Sequence, residues 1–267
     1  MILIHQKKCI SEELINLAWN SFFTSRGRGL SFDNHFPWAR MADNVWSIEA
    51  VDCGNVVGGL VVREREILLD SIGVVVGCVG LVCVHPNYRN KGIANQLFER
   101  VIQHSLEKKY AALTLWTNQH HIYKSKGFSV IDRSVYGTVS FEQDESNICV
   151  YKTIDLPITI GLPPFAESGI KFVTDNSEVL VLWDAKGGIV VGWSGENSSI
   201  ISLINSIFQK TFRINSRTGC SLLSALSKRK FNIEVSNSNL QMWLPLNDHV
   251  DVVELEASGY FSVLDRI

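Results

Sequence analysis

The segment Val82-Cys83-Val84-His85-Pro86-Asn87-Tyr88-Arg89-Asn90-Lys91-Gly92-Ile93-Ala94 joins an apolar run to an amphipathic stretch. The run Val74 to Val84 ends just before Pro86, which has no backbone N–H and disfavours helix in the residue that precedes it. After the basic turn, apolar residues recur at four-residue intervals from Ile93 to Val101, as they do along one face of a helix. The segment therefore predicts a strand, a tight basic loop and the start of a helix.

This loop has the properties of an anion site. The first turn of a helix carries free backbone N–H groups at the positive end of the helix dipole. Gly92 adds no side chain there, so an anion can approach the main chain closely. We therefore predict that the loop binds an anionic group such as a pyrophosphate.

Composition narrows the class of protein. The chain has 267 residues, 46% of them hydrophobic, which is enough for one large domain or two modest ones. A net charge of -2 argues against binding nucleic acid by bulk electrostatics. The run before Pro86 is shorter than the ~20 residues of a membrane-spanning helix, and residues 1–5 are too short for a signal peptide. We expect a cytoplasmic protein that binds neither membrane nor nucleic acid.

The cysteines form no metal-ligand pattern, and their even number would allow disulfides. The six cysteines are scattered and contain no CxxC pair, so we expect reduced thiols and no metal cofactor.

The order of elements predicts a mixed α/β (α+β) fold in two domains. Strands and helices alternate up to Ile154, and a Pro- and Gly-rich break begins at Asp155. The predicted boundaries are 1–154 for the first domain and 155–267 for a second, small α+β domain. In the second domain we expect residues 231–235 to pair with residues 240–244 as a hairpin. No internal repeat of fixed period is visible.

A second motif lies downstream of the basic loop. The pattern Arg89-x-x-Gly92-x-Ala94 is followed by a helix, a strand and then Tyr123-x-x-x-Gly127-Phe128. Together these features resemble the GNAT superfamily of acyl-CoA-dependent N-acetyltransferases. The resemblance covers residues 1–154 and implies a central mixed sheet. It does not cover residues 155–267, for which three roles are open: completing the acceptor site, mediating dimerisation or buttressing the core.

The resemblance also implies roles for individual residues. Tyr123 would be the general acid that protonates the leaving CoA thiolate. The co-substrate would be acetyl-CoA or another acyl-CoA, with its pantetheine arm on the main chain of the strand and its pyrophosphate on the loop. The residues implied in CoA binding are Val82, Val84, Arg89, Asn90, Lys91, Gly92, Ile93 and Ala94.

The general base is not evident, because the strand before the loop carries neither a carboxylate nor a histidine. Histidine titrates near neutral pH, so His121 is the predicted base. The remaining alternatives are a water relay and four other side chains: His120, Glu64, Glu66 and Asp70. Cys78 as an acyl carrier is disfavoured, because a thiol within an apolar strand is usually inert.

The acceptor is sought in residues 25–41, which combine arginines, aromatics and glycines. These residues would either pack on the core as a short helix or line a pocket. In the pocket interpretation, a nucleotide-linked amino sugar would stack on Phe36 or Trp38. Its phosphates would lie near arginines of the same segment: Arg26, Arg28 and Arg40.

We therefore predict an N-acyltransferase that acts on a primary amine of a small molecule, for which an amino sugar is the example. The alternatives are a peptide or protein amine as acceptor, or a non-catalytic CoA-binding sensor. A homodimer is a further arrangement that the sequence leaves open.

Overall fold

The computed structural model describes every residue except 25, 26, 28, 42, 143–147, 248, 249, 260 and 267. The chain divides into two compact units. The first unit comprises Met1–Asp132, Leu240–Phe261 and Asp265–Ile267, and the second unit comprises Arg133–Asn239 and Ser262–Leu264.

The described residues form the following strands: β1 (Leu3–Lys7), β2 (Val45–Asp52), β3 (Asn55–Leu69), β4 (Ile72–Val84), β5 (Ala112–Trp116), β6 (Ser129–Val130), β7 (Ser134–Ser140), β8 (Lys152–Asp155), β9 (Ser168–Val173), β10 (Ser177–Asp184), β11 (Gly187–Gly195), β12 (Thr211–Arg217), β13 (Asn232–Asn237) and β14 (Gln241–Pro245). The helices are α1 (Glu12–Phe22), α2 (Phe32–His35), α3 (Trp38–Met41), α4 (Ile93–Glu107), α5 (His120–Lys124), α6 (Asn197–Ile207), α7 (Ser221–Lys228) and α8 (Val252–Ser258).

The sheet of the first unit has the strand order β1-β2-β3-β4-β5-β14-β6. Neighbouring strands are antiparallel except β4 and β5, which run parallel and are joined through α4. A parallel pair needs such a crossover because the chain must return to the starting edge. The predicted mixed sheet is confirmed, and so is its strand–loop–helix element.

Alternating residues of this sheet face two different layers. One face packs on α4 through Val62, Val79 and Leu113. The other face, which includes Val61 and Cys78, packs on α1, α3 and α8. This two-sided burial explains why the strands are almost continuously apolar.

Strand β14 reaches this sheet from the far end of the sequence. It lies between β5 and β6, and its Met242 and Trp243 are both 0% exposed. The Asp132 carboxylate accepts hydrogen bonds from the backbone N–H groups of Leu240 (2.8 Å) and Gln241 (3.1 Å) and so holds the start of the strand. The predicted hairpin of residues 231–235 and 240–244 is therefore wrong, since β13 pairs with β7 in the other sheet.

The second unit repeats this topology. Its strand order is β8-β9-β10-β11-β12-β7-β13, and only β11 and β12 run parallel, joined through α6. In each sheet the second strand of the parallel pair, β5 or β12, is the third strand from one edge. A strand from a distant segment, β14 or β7, lies between it and that edge strand. The sequence shows no internal repeat because the two units share strand order and not residue pattern.

The boundaries of the compact units differ from the predicted boundary at 154/155. The chain divides at Asp132 and again at Asn239, because β7 pairs with β12 and β13 in the second unit.

A fragment of residues 1–154 should not fold cooperatively by itself. It lacks β14, so β5 and β6 lose their shared neighbour, and the core loses Met242 and Trp243. Deleting one large buried side chain costs about 2–5 kcal/mol, against a total stability of about 5–15 kcal/mol. Near-UV circular dichroism of the fragment should show no sharp melting transition, and adding a peptide of residues 240–261 should restore one. A fragment that melts as sharply as the full chain would contradict this.

None of the helices described here is long and apolar enough to cross a membrane. In the same set of residues, no three His, Cys, Asp or Glu side chains come together as a metal site requires.

Candidate active site

The basic loop ends at an uncapped helix start. After β4 the chain makes a single 3-10 turn, Pro86–Tyr88, and α4 then begins with Gly92 as its N-cap residue. Gly92 has no side chain with which to cap the helix, and the first turn of α4 carries no acidic residue. The free N–H groups of that turn therefore have no competing anion from the helix itself, which favours an external one.

The shape of the loop depends on two left-handed residues, Asn90 with φ 61° and Gly92 with φ 76°. A Cβ atom built on Gly92 would meet open space. The glycine is therefore required by its backbone angle and not by crowding.

The side chains of the loop hold it in place. The hydroxyl of Tyr88 donates to an oxygen of Asp52 at 3.1 Å, and the ammonium of Lys91 lies 4.6 Å from the centre of the Tyr88 ring. Arg89 donates through Nε to the carbonyl oxygen of Val84 at 3.2 Å. The structure thus brings both predicted cations to the loop, and it places Arg89 on one of the two main-chain positions predicted to pair with pantetheine.

The strands β4 and β5 separate beyond a short paired stretch. Their parallel pairing covers Val76 to Cys78 on β4, and the last pair is Cys78 with Thr114. Further along β4, the register with β3 shifts between Gly59 and Val61, opposite Leu81, which has φ 51°. Such a bulge bends a strand and changes the direction of its groups. The part of β4 that contains Val82 and Val84 therefore has no pairing with β5. An extended arm with amide groups could pair with it there, although the Val84 carbonyl already accepts a hydrogen bond from Arg89.

Tyr123 lies on the short helix α5, which ends before Gly127 with φ 90°. Its half-buried ring packs edge-on against Phe98 and Phe128, at centroid distances of 5.5 and 6.2 Å. Its hydroxyl makes no hydrogen bond to any residue that the structure describes. Burial raises the pKa of Tyr123, so the phenol keeps its proton and remains a donor.

The comparisons with known proteins agree with this geometry. Residues 10–131 match the family described as acetyltransferase (GNAT) domain. Residues 10–131 are a GNAT acetyltransferase domain. The comparison with curated proteins found no sequence relative.

Solved structures resemble the chain beyond the GNAT domain. A GCN5-related N-acetyltransferase from Kribbella flavida has a TM-score of 0.61 at 13% identity, covering 91% of this chain and 72% of that one. A probable N-acyltransferase from Enterococcus faecalis has a TM-score of 0.66 at 9% identity, covering 92% and 73%. A tandem GNAT protein from the clavulanic acid biosynthesis pathway has a TM-score of 0.57 at 10% identity, covering 94% and 100%.

These likenesses establish the fold, which is a tandem GNAT fold. The GNAT domain and its neighbours also support an acetyltransferase, for which acetyl-CoA is the family's co-substrate.

The GNAT domain carries one further cation that the sequence analysis missed. The ammonium of Lys126 lies 2.5 Å from the side-chain oxygen of Asn95, in the first turn of α4, and 5.3 Å from the ring centre of Phe98. Burial lowers the pKa of Lys126, which a bound anion would offset. The position of Lys126 within the Tyr123-to-Phe128 motif could have pointed to a role at the site. Its contact with Asn95 at the start of α4 could be seen only in the fold.

The candidate bases are not gathered around Tyr123. His121 is exposed, and a residue two positions from Tyr123 on a helix does not share its face. His120 is half-buried and lies one turn from Tyr123. Glu64 accepts a hydrogen bond from the hydroxyl of Tyr110 and is thereby occupied. The other two candidates, Glu66 and Asp70, are exposed.

Cys78 should be dispensable for catalysis. It is 1% exposed, and burial raises the pKa of its thiol to about 12, so almost no nucleophilic thiolate exists at neutral pH. Cys78→Ala should keep kcat within about twofold, and mass spectrometry of the wild-type protein incubated with acetyl-CoA alone should find no acyl adduct. An adduct that disappears in the variant would contradict this.

Within the described part of the segment 25–41, the aromatic residues pack on the core, which confirms the packing interpretation for them. Phe36 and Trp38 are 2% and 7% exposed, which leaves little of either ring free to stack on a sugar nucleotide. Arg40 pairs with Asp33 at 2.8 Å and also with Glu12. Arg26 and Arg28 lie outside the described residues.

The described residues of the second unit form no equivalent anion loop. Its corresponding strand and helix, β11 and α6, are joined at Gly195 and Glu196, and Glu196 is the N-cap residue of α6. A carboxylate at the helix start would repel a pyrophosphate. The sites expected for CoA therefore lie in the first unit.

Proposed function

We propose that the first unit transfers an acyl group, acetyl in the simplest case, from acyl-CoA to a primary amine of a small molecule. The observation that carries this proposal is the combination of three features. An uncapped helix start follows β4, that strand separates from β5, and Tyr123, whose ring packs on Phe98 of α4, offers a hydroxyl with no hydrogen bond to the described residues. Each feature supplies one requirement of the reaction.

The donor would bind along β4. The N–H groups of residues 90–94 take the pyrophosphate, with Lys91 and Lys126 as nearby cations. The pantetheine amides pair with the main chain at Val82 once the arm lies between the strands. The thioester then lies where β4 and β5 separate.

In the proposed reaction, the amine nitrogen attacks the thioester carbonyl and forms a C–N bond. The tetrahedral intermediate collapses with cleavage of the C–S bond, and Tyr123 donates its proton to the leaving sulfur. The attacking amine loses a proton overall. His121 is the proposed acceptor of this proton, and a water chain is the alternative because the His121 side chain faces solvent. The products are the amide and free CoA.

A small-molecule acceptor is preferred to a peptide or protein. An amino sugar remains one proposed acceptor, although the ring stacking on Phe36 or Trp38 that suggested it has no free surface in the fold. A CoA-binding sensor is the second candidate function, because no carboxylate or histidine lies on β4.

Two measurements test the proposal. Calorimetry with CoA should give saturable binding, and incubation with acetyl-CoA and a panel of primary amines should release thiol. CoA binding without thiol release from any amine would favour the sensor. No CoA binding would overturn both candidate functions.

A further inference from the structure

Arg63 lies on β3 beside the point where β4 and β5 separate. It is in register with Cys78, which forms the last pair between β4 and β5. Residues in register on neighbouring strands point to the same face. Arg63 therefore faces the α1, α3 and α8 side of the sheet, opposite the side that holds α4.

The guanidinium of Arg63 forms no ion pair with the described residues, although the charge of Asp265 acts on it from a distance. Its Nε is buried with no hydrogen-bond partner, and the side chain forms no hydrogen bond or ion pair with any residue in the described part of the chain. Its Cζ lies 5.1 Å from the ring centre of Trp38, which holds the side chain in place. Arg65, two residues along the same strand and face, pairs with Asp265.

The half-buried position of the Arg63 charge, with its Nε buried and unsatisfied, is unfavourable for the protein alone. A charge removed from water costs free energy unless it is paired, and the cost is recovered when an opposite charge binds. Burial lowers the pKa of Arg63, and the charge of Arg65 adds to the effect. Side chains that break the rules of stability without a structural gain are commonly functional.

The CoA donor does not account for this cation. Its pyrophosphate belongs at the start of α4, on the other face of the sheet. A single arginine whose neighbour Arg65 is already neutralised matches a single negative charge, and the planar guanidinium fits a carboxylate with two parallel hydrogen bonds. The unmatched charge therefore belongs to the second substrate.

We propose that Arg63 binds a carboxylate on the acceptor, so that the substrates are amines that also carry a carboxylate, such as amino acids. This inference rests on the proposed acyl transfer. Cys78 lies three residues before Leu81 at the bulge of β4, on the order of 10 Å along a strand. That span sets an upper limit on the separation of carboxylate and reacting amine, so the candidate substrates run from α-amino acids to short ω-amino acids.

The test compares matched ligands by calorimetry, with and without CoA. The ligands are α-amino acids and ω-amino acids of three to six carbons, each paired with its amide. For wild type, the best carboxylate should bind roughly 10- to 100-fold more tightly than its amide. Arg63→Gln should abolish that difference, Arg63→Lys should keep part of it, and Arg100→Gln, on the far part of α4, should behave as wild type.

Several results would overturn the inference. These are equal binding of carboxylate and amide, tighter binding of phosphoethanolamine than of every carboxylate, absence of binding by every amino acid, and an equal loss of both ligands in Arg63→Gln. Thermal melting distinguishes a structural role of Arg63 from a binding role. Arg63→Gln should not lower Tm if the charge forms no ion pair in the protein without ligand. Failure of the wild-type protein to bind CoA would reject the acyl transfer, and the carboxylate comparison without CoA would still decide the role of Arg63.

Discussion

Replacing Tyr123 with Phe should lower kcat by roughly 10²- to 10⁴-fold, the usual contribution of a positioned general acid. The affinity for CoA should remain unchanged, because the hydroxyl has no hydrogen bond to described residues and no place at the pyrophosphate. The phenylalanine ring keeps the contacts with Phe98 and Phe128, so Tm should stay close to that of wild type. Thiol-release kinetics and CoA calorimetry on the same sample measure the two effects separately.

The pH profile adds a second criterion. A general acid acts in its protonated form, and burial raises the pKa of Tyr123 above that of an ordinary tyrosine, about 10. Raising the pKa keeps the acid protonated to higher pH, so loss of the Tyr123 proton should not reduce wild-type kcat below about pH 10.

Tyr136→Phe is the matched control for Tyr123→Phe. It removes a hydroxyl from an exposed tyrosine of the second unit and should leave kcat unchanged. Equal kcat values for Tyr123→Phe and wild type would show that the thiolate leaves without this acid.

Replacing Gly92 with Asp should weaken CoA binding by about 100-fold relative to Gly92→Asn. Both side chains tolerate the left-handed backbone better than most others, and a Cβ has open space there, so the two variants differ chiefly in one negative charge. Two unit charges 5 Å apart at an effective dielectric constant of about 20 repel by about 3 kcal/mol. CoA titration by calorimetry measures the difference, and added salt should narrow it.

Stability should not follow affinity in this pair of variants. An acidic residue favours a helix N-terminus, so Gly92→Asp should melt at or above the Tm of Gly92→Asn. The same two substitutions at Gly219, a left-handed glycine with open space in the second unit, should leave CoA binding unaltered. Equal CoA affinities for the two Gly92 variants would place the pyrophosphate elsewhere.

Local patterns in the sequence were sufficient to predict the basic loop between β4 and α4. A proline that stops a strand, a glycine at a left-handed position and a four-residue apolar period act within about 20 residues, so they can be recognised without the fold. The strands β2 and β3 also pair locally, because only the turn between Asp52 and Asn55 separates them. The aromatic segment 25–41 could be interpreted in two ways, and only packing against α1 decided between them.

Pairing over long distances could not be predicted in this way. Residues 231–235 and 240–244 look like a hairpin because each is a short apolar run beside a polar turn. They instead enter different sheets: β13 pairs with the edge of β7, and β14 fills the gap between β5 and β6. The repeat of topology between the two units was invisible for a related reason, since strand order can be kept while residue pattern is not.

The sequence by itself determined the strand–loop–helix at Val82 to Ala94, the Tyr123 motif and the mixed α/β class, because backbone angles and apolar periodicity encode them locally. Only the tertiary structure decided that β14 completes the first sheet, that Lys126 reaches the start of α4, and that Arg63 lies unpaired where β4 and β5 separate. The physical reason is that burial and the presence or absence of an ionic partner are properties of the assembled fold. From the sequence alone, a charged residue near the end of a strand is most simply interpreted as solvent-exposed, and only its neighbours in the fold show otherwise.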